Sequence, residues 1–129
     1  GAYLNERRIR VSRRTKLAES LIATGFPFRQ FDNVDAYLAM FRELCQKTAG
    51  IRRPGAASLD LAYVAAGRYD GFWEFALSPW DIAAGLLIAS EAGALVQGVR
   101  ETQNPLEDGT VLCANGALFD HFAGIIRKV

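Results

Sequence analysis

The reading of this chain turns on Trp73-Glu74-Phe75-Ala76-Leu77-Ser78-Pro79-Trp80-Asp81-Ile82-Ala83-Ala84-Gly85. Glu74 ends a stretch that reads as a strand, and Asp81 opens one that reads as a buried helix. Two carboxylates seven positions apart therefore sit at adjoining element ends, among aromatic and small apolar residues. A carboxylate is expensive to bury unless something pairs with it. The pair marks a polar site, with a metal site among the possibilities.

The same strand–helix rhythm extends outward. Residues 20–24 form a short buried strand closed by Gly25 and Pro27. Asn33 can cap a helix with Val34, Tyr37, Leu38, Phe41, Leu44 and Cys45 on one face, ending at Gly50. Residues 51–53 are short and extended. Residues 56–66 read as a mostly buried helix in which Asp60 is the one charge, followed by an aromatic-rich strand over 68–75. The helix over 80–92 is apolar nearly all round, which predicts cover on more than one side. Strands over 94–97 and 110–114 flank a polar loop, and residues 117–128 are amphipathic through Leu118, Phe122, Ile125 and Ile126. Alternation of this kind predicts an α/β layer with a largely parallel sheet. Residues 2–12 do not follow it. They read as a hairpin turning at residues 5–8, with a strand at 9–11. Its expected strand partners are absent, and the chain starts at Gly1, so it reads as a piece of a longer protein.

Composition excludes several classes. Half of the 129 residues are apolar, a globular balance, and no apolar run approaches the roughly 18 residues of a membrane span. Net charge is +1, although Arg7, Arg8, Arg10, Arg13, Arg14 and Lys16 crowd the first sixteen residues against Glu6. Such an arm can bind RNA or another phosphate-bearing partner; a solvated hairpin with charged outward faces is the commoner case. Cys45 and Cys113, both in apolar segments, read as reduced, buried thiols, which fits the cytoplasm. His121 is the sole histidine, in a terminal helix, where it reads as a surface residue. Zinc sites and histidine-based hydrolase triads are thereby disfavoured, leaving carboxylate chemistry.

Asp81 admits two readings: a Mg²⁺ ligand held rigidly at a helix start, or a helix N-terminal acid stabilised by the dipole. Spacing alone favours the second. Glu74 can orient a substrate hydroxyl or simply face water at a strand end, and the residues alone do not choose. In Arg52-Arg53-Pro54-Gly55-Ala56-Ala57-Ser58, small residues entering a helix leave backbone N–H groups free for a phosphate oxygen. An ordinary Pro-Gly turn is the commoner meaning of so short a pattern. Asn104-Pro105-Leu106-Glu107-Asp108-Gly109-Thr110 imitates an Asp-Pro-Leu-Asp-Gly-Thr metal motif with one residue too many, and reads as a loop with a turn at Asp108-Gly109.

Taken together, the whole chain resembles the C-terminal half of the inositol monophosphatase family, Mg²⁺-dependent and lithium-sensitive phosphatases, in its bacterial branch. The likeness runs from Gly1-Ala2-Tyr3-Leu4-Asn5 through Gly25-Phe26-Pro27-Phe28 and the segment from Arg52 to Gly67. It is most specific at Asp70-Gly71-Phe72-Trp73-Glu74, at Pro79-Trp80-Asp81-Ile82-Ala83-Ala84-Gly85 and at Glu91-Ala92-Gly93. The resemblance implies a mostly parallel sheet flanked by helices, one layer of the family's sandwich. Residues 1–16 would be a hairpin left over from the missing antiparallel sheet, and residues 17–129 the α/β substrate-recognition domain. It further implies that Asp81 shares a Mg²⁺ with ligands of the missing N-terminal half, that Glu74 receives a polyol hydroxyl, and that Gly55, Ala56 and Ala57 form the turn beside the substrate. A phosphomonoester substrate, a homodimer and inactivity of this piece alone follow from the same likeness. Two positions depart from it: Ala56 stands where Ser or Thr is usual, and Ala94 where Gly is common after Gly93. A non-catalytic protein- or RNA-interaction module of the same fold is the alternative.

Overall fold

The computed structural model describes residues 1–26 and 34–129. It opens with a hairpin in which β1 (Tyr3–Leu4) pairs antiparallel with β2 (Arg7–Arg8). Asn5 and Glu6 close it with φ of 50° and 68°. Two successive left-handed residues match the right-handed twist of the strands, so the turn is tighter than residues 5–8 and the second strand starts sooner. Ile9 stays in register through its N–H to the Ala2 carbonyl, 2.9 Å away. A single 3₁₀ turn (Leu17–Glu19) then leads into the main sheet.

The remaining elements are β3 (Leu21–Thr24), α1 (Val34–Lys47), β4 (Gly50–Arg52), α2 (Ala57–Ala65), β5 (Gly71–Glu74), α3 (Pro79–Glu91), β6 (Leu95–Gln97), α4 (Pro105–Asp108), β7 (Val111–Ala114) and α5 (Gly116–Arg127). Sheet order is β4-β3-β5-β7-β6. Because side chains alternate across a strand, each central strand feeds two cores. Ile22, Trp73 and Leu112 pack with Tyr37, Met40 and Leu44 of α1 and Leu118, Phe122 and Ile126 of α5. Ala23, Phe72, Val111 and Cys113 pack with Leu61 and Val64 of α2 and Ile82 and Ala89 of α3. Thr24 Oγ1 donates to the Trp73 carbonyl at 2.9 Å and lies 3.0 Å from the Tyr37 hydroxyl, tying both strands to α1. The fold is thus a helix–sheet–helix sandwich.

Several sequence expectations change. The sheet is mixed: β3 runs parallel to β4 and β5, but β7 runs antiparallel to β5 and β6. The reason is that residues 98–110 join β6 to β7 with one helical turn instead of a full crossover helix, so the chain returns antiparallel. That turn, α4, replaces the loop expected at residues 104–110; Asn104 caps it by accepting from the N–H groups of Leu106 and Glu107. Along α1 the inward face is Tyr37, Met40 and Leu44, which leaves Leu38 and Cys45 exposed. Only Cys113 is therefore a buried thiol. The cap expected at Asn33 and the strand stop at Pro27 lie outside the described residues. Helix α3 packs against α2, α4 and β6 yet leaves Trp80, Leu87 and Ile88 exposed, so the cover expected on more than one side is incomplete among the described residues. No helix among the described residues is long and apolar enough to cross a membrane.

Close approach of α2 and α3 depends on Gly85. A Cβ there would lie 2.8 Å from both Cβ and Cδ1 of Leu61, a fully buried side chain. Gly85→Val should therefore destabilise the folded protein by about 1–3 kcal/mol through overpacking, despite the better helix propensity of valine. Chemical unfolding checks this; a change near zero would mean that the helices do not pack at this distance.

Candidate active site

Parallel pairing brings the carboxyl ends of β4, β3 and β5 to one edge of the sheet, where open α/β sheets bind ligands. Glu74 is the last residue of β5. The turn after β4 carries Gly55 at φ +92°, a backbone conformation that glycine adopts without strain, and leads into α2. Asp81 lies in the first turn of α3, where Pro79 is pre-organised for the helix and the Ser78 N–H donates to Asp81 Oδ2 at 3.2 Å.

These positions converge. Gly55, Ala56, Ala57, Ser58, Glu74, Leu77 and Asp81 line one cleft of about 310 Å³. Glu74, Leu77 and Asp81 also line an adjoining cleft of about 380 Å³ whose far side includes Phe26 and Trp80. Glu74, Asp81 and the turn of Gly55, Ala56 and Ala57, to which the resemblance gave substrate and metal contacts, thus line one depression. Between the two acids, Ala76 holds φ 60°, a left-handed conformation that costs an L-residue roughly 1–2 kcal/mol. Strain of this kind concentrates at functional sites.

The walls offer complementary chemistry. Ala56 is the N-cap of α2 and provides no side-chain cap, so the first N–H groups of that helix have no side-chain acceptor at the cap. They lie beside the cleft as donors for an anion. Ala56 also clarifies the departure noted in the sequence: a Ser or Thr here would stand at the capping position itself. On the acidic side, Glu74 is half-buried and its carboxyl is pushed up to about 7. Burial is the main cause and Asp60 the next; Arg53 opposes the shift and Asp81 adds to it. Arg53 sits with its guanidinium 5.0 Å from the centre of the Phe26 ring.

The acids suit a hard cation, since Asp81 is exposed and offers carboxylate oxygen. Among the described residues, no group of three or more histidine, cysteine or acidic side chains could hold a metal ion. Asp81 can thus supply part of a ligand set. His121 is exposed on α5, consistent with its reading as a surface residue.

The family model described as the inositol monophosphatase family matches residues 1–129. The chain belongs to the inositol monophosphatase family. It is 60% identical over 121 residues to "Nus factor SuhB" of Pseudomonas aeruginosa, covering 92% of this chain and 45% of that protein. To "Inositol-1-monophosphatase" of Rhizobium meliloti it is 48% identical over 129 residues, all of this chain and 47% of that one. The solved extragenic suppressor protein suhB from Bartonella henselae superposes with a TM-score of 0.93 at 41% identity, covering 99% of this chain and 49% of that structure. The chain spans about half the length of the curated relatives it matches. Its mixed sheet flanked by helices is the fold of these family neighbours.

Two residues carry more than the sequence suggested. Asp70, within the most specific motif, is buried and structural: its Oδ2 accepts from the Leu21 N–H at 2.7 Å and meets Arg14 Nε at 3.3 Å. Asp60 is fully buried and neither of its carboxylate oxygens has a hydrogen-bond partner among the described residues. Its place as the one charge of an apolar helix was legible; its lack of a partner was not.

Burial raises Asp60 to about 6, with Arg53 pulling the other way. Between the ordinary aspartate value and about 6 the folded state holds a proton that the unfolded chain has released, so the contribution of Asp60 to stability is largest below that window and is lost as pH rises through it. Asp60→Asn should abolish that loss, gaining on the order of 1–3 kcal/mol relative to the parent between pH 4 and pH 8. Unfolding curves at both pH values check this, and parallel pH profiles for the two proteins would contradict it.

Proposed function

We propose that this chain is the C-terminal, substrate-recognition half of a Mg²⁺-dependent phosphatase that hydrolyses a phosphomonoester of inositol or a related polyol. The convergence of Glu74, Asp81 and the turn from Gly55 to Ala57 on one cleft supports this reading most directly. Family membership and a relative named inositol-1-monophosphatase support it independently.

In this reading residues 1–16 belong to a sheet completed by the N-terminal half, and residues 17–129 form the α/β domain. Asp81 would hold a Mg²⁺ together with ligands supplied from outside this chain. The bound ion would polarise the phosphate and lower the pKa of its water. Glu74, as a carboxylate, accepts a hydrogen bond from a polyol hydroxyl and fixes the orientation of the ring. The turn at Gly55, Ala56 and Ala57 lies beside the ring, and the uncapped first N–H groups of α2 are donors for a phosphate oxygen. With only part of the ligand set, the 129-residue chain alone turns over essentially nothing. We assign the full-length enzyme to the cytoplasm as a homodimer.

A second reading is a non-catalytic role in binding RNA or protein. The exposure of Arg7, Arg8 and Arg10 on and beside the hairpin favours it, as does the name Nus factor carried by several relatives. Retention of Glu74 and Asp81 in one cleft favours the enzyme.

Asp81→Asn in the full-length protein should leave the fold intact and lower the Mg²⁺-dependent rate about a hundredfold or more, since a metal contact is worth several kcal/mol of transition-state stabilisation. Steady-state phosphate release measures this, and a rate near the parent's would remove Asp81 from the metal site. Salt-sensitive RNA binding that vanishes when Arg7, Arg8 and Arg10 are neutralised would instead favour the second reading.

A further inference from the structure

Thr24 pairs with Trp73 in the parallel ladder, and one step further along that register Gly25 stands beside Glu74. Gly25 is buried at the end of β3. A Cβ built on it would lie 2.0 Å from Glu74 Oε1, 2.3 Å from Cδ and 2.9 Å from Oε2. The three nearest heavy atoms are thus the carboxyl group itself, folded back across the neighbouring strand. No backbone atom stands among them, so a methyl group here would leave the sheet in place and displace the Glu74 carboxyl. Around the carboxyl, Asp60 and Asp81 repel it and Arg53 attracts it, from α2, α3 and the segment after β4.

We propose that Gly25 is a positioning residue for the candidate substrate site: by lacking a side chain it provides the seat that holds the Glu74 carboxyl where a polyol hydroxyl can reach it. The proposal rests on the reading of Glu74 as the hydroxyl acceptor. It identifies a determinant of specificity on a strand that contributes no polar side chain to the cleft. A residue larger than glycine at this position would select phosphomonoesters that do not need the contact.

The test uses the full-length protein with Gly25→Ala, Glu74→Ala and the double substitution, assayed on inositol 1-phosphate and on 4-nitrophenyl phosphate, which has no polyol hydroxyl. Gly25→Ala should keep a cooperative unfolding transition close to the parent's. It should raise KM for inositol 1-phosphate about tenfold, the scale of a lost hydrogen bond to a charged group, and leave KM for 4-nitrophenyl phosphate unchanged. In the Glu74→Ala background it should add nothing. An equal rise on both substrates, or a rise that persists without Glu74, overturns the proposal, because Gly25 would then act through the backbone. If Glu74→Ala alone leaves KM for inositol 1-phosphate unchanged, the reading of Glu74 fails and the specificity role falls with it. Independently of turnover, the ¹³C resonance of the Glu74 carboxyl should move in Gly25→Ala, and an unmoved resonance overturns the seat itself.

Discussion

Parallel pairing of β3 with β4 on one side and β5 on the other is the constraint on which the rest of the structure depends. It delivers three strand ends to the same edge of the sheet. From that edge the chain enters α2 through the Gly55 turn and α3 through Ser78-Pro79, so two helix starts face one depression. Alternation along the central strands then commits each face to a separate core, one against α1 and α5 and the other against α2 and α3. With both faces filled, the strand ends and the loops after them are the place left for chemistry. The antiparallel return of β7 completes the sheet without disturbing that edge.

The site is held at some expense to stability. Asp60 is buried without a hydrogen-bond partner among the described residues, Glu74 is half-buried with its proton held to about 7, and Ala76 occupies a left-handed conformation. Each of these would be removed by a sequence optimised only for folding. Their concentration around one cleft distinguishes it from the apolar groove of about 390 Å³ between the hairpin, α2 and α3, where no acidic side chain lines the wall. Ile88 lines that groove, and Leu87 beside it in α3 is also exposed.

Much of this was legible in the sequence because it depends on local periodicity. The 3.6-residue pattern of α5 placed Leu118, Phe122, Ile125 and Ile126 in the core, where all four are buried. The run from Trp73 to Gly85 gave a strand, a break and a helix in the right order. Features that depend on neighbours distant in sequence were less visible. The antiparallel course of β7 follows from how residues 98–110 return, and the exposure of Cys45 from how α1 is rotated on the sheet. At the site, Glu74, Asp81 and the Gly55 turn were recognisable as motifs. Their meeting in one cleft is a tertiary fact, as are the unpartnered state of Asp60 and the fit of Glu74 against Gly25.

The central claim is that this chain holds one half of a phosphatase site. Its most direct test is Mg²⁺-dependent phosphate release from inositol 1-phosphate, measured side by side for the full-length protein and for the 129-residue chain. Release by the full-length protein alone is the result predicted by the proposed reading, in which Asp81 and Glu74 act together with ligands outside this chain. Release by the short chain would contradict the account, because the described residues would then have to assemble a metal site that their carboxylates do not form.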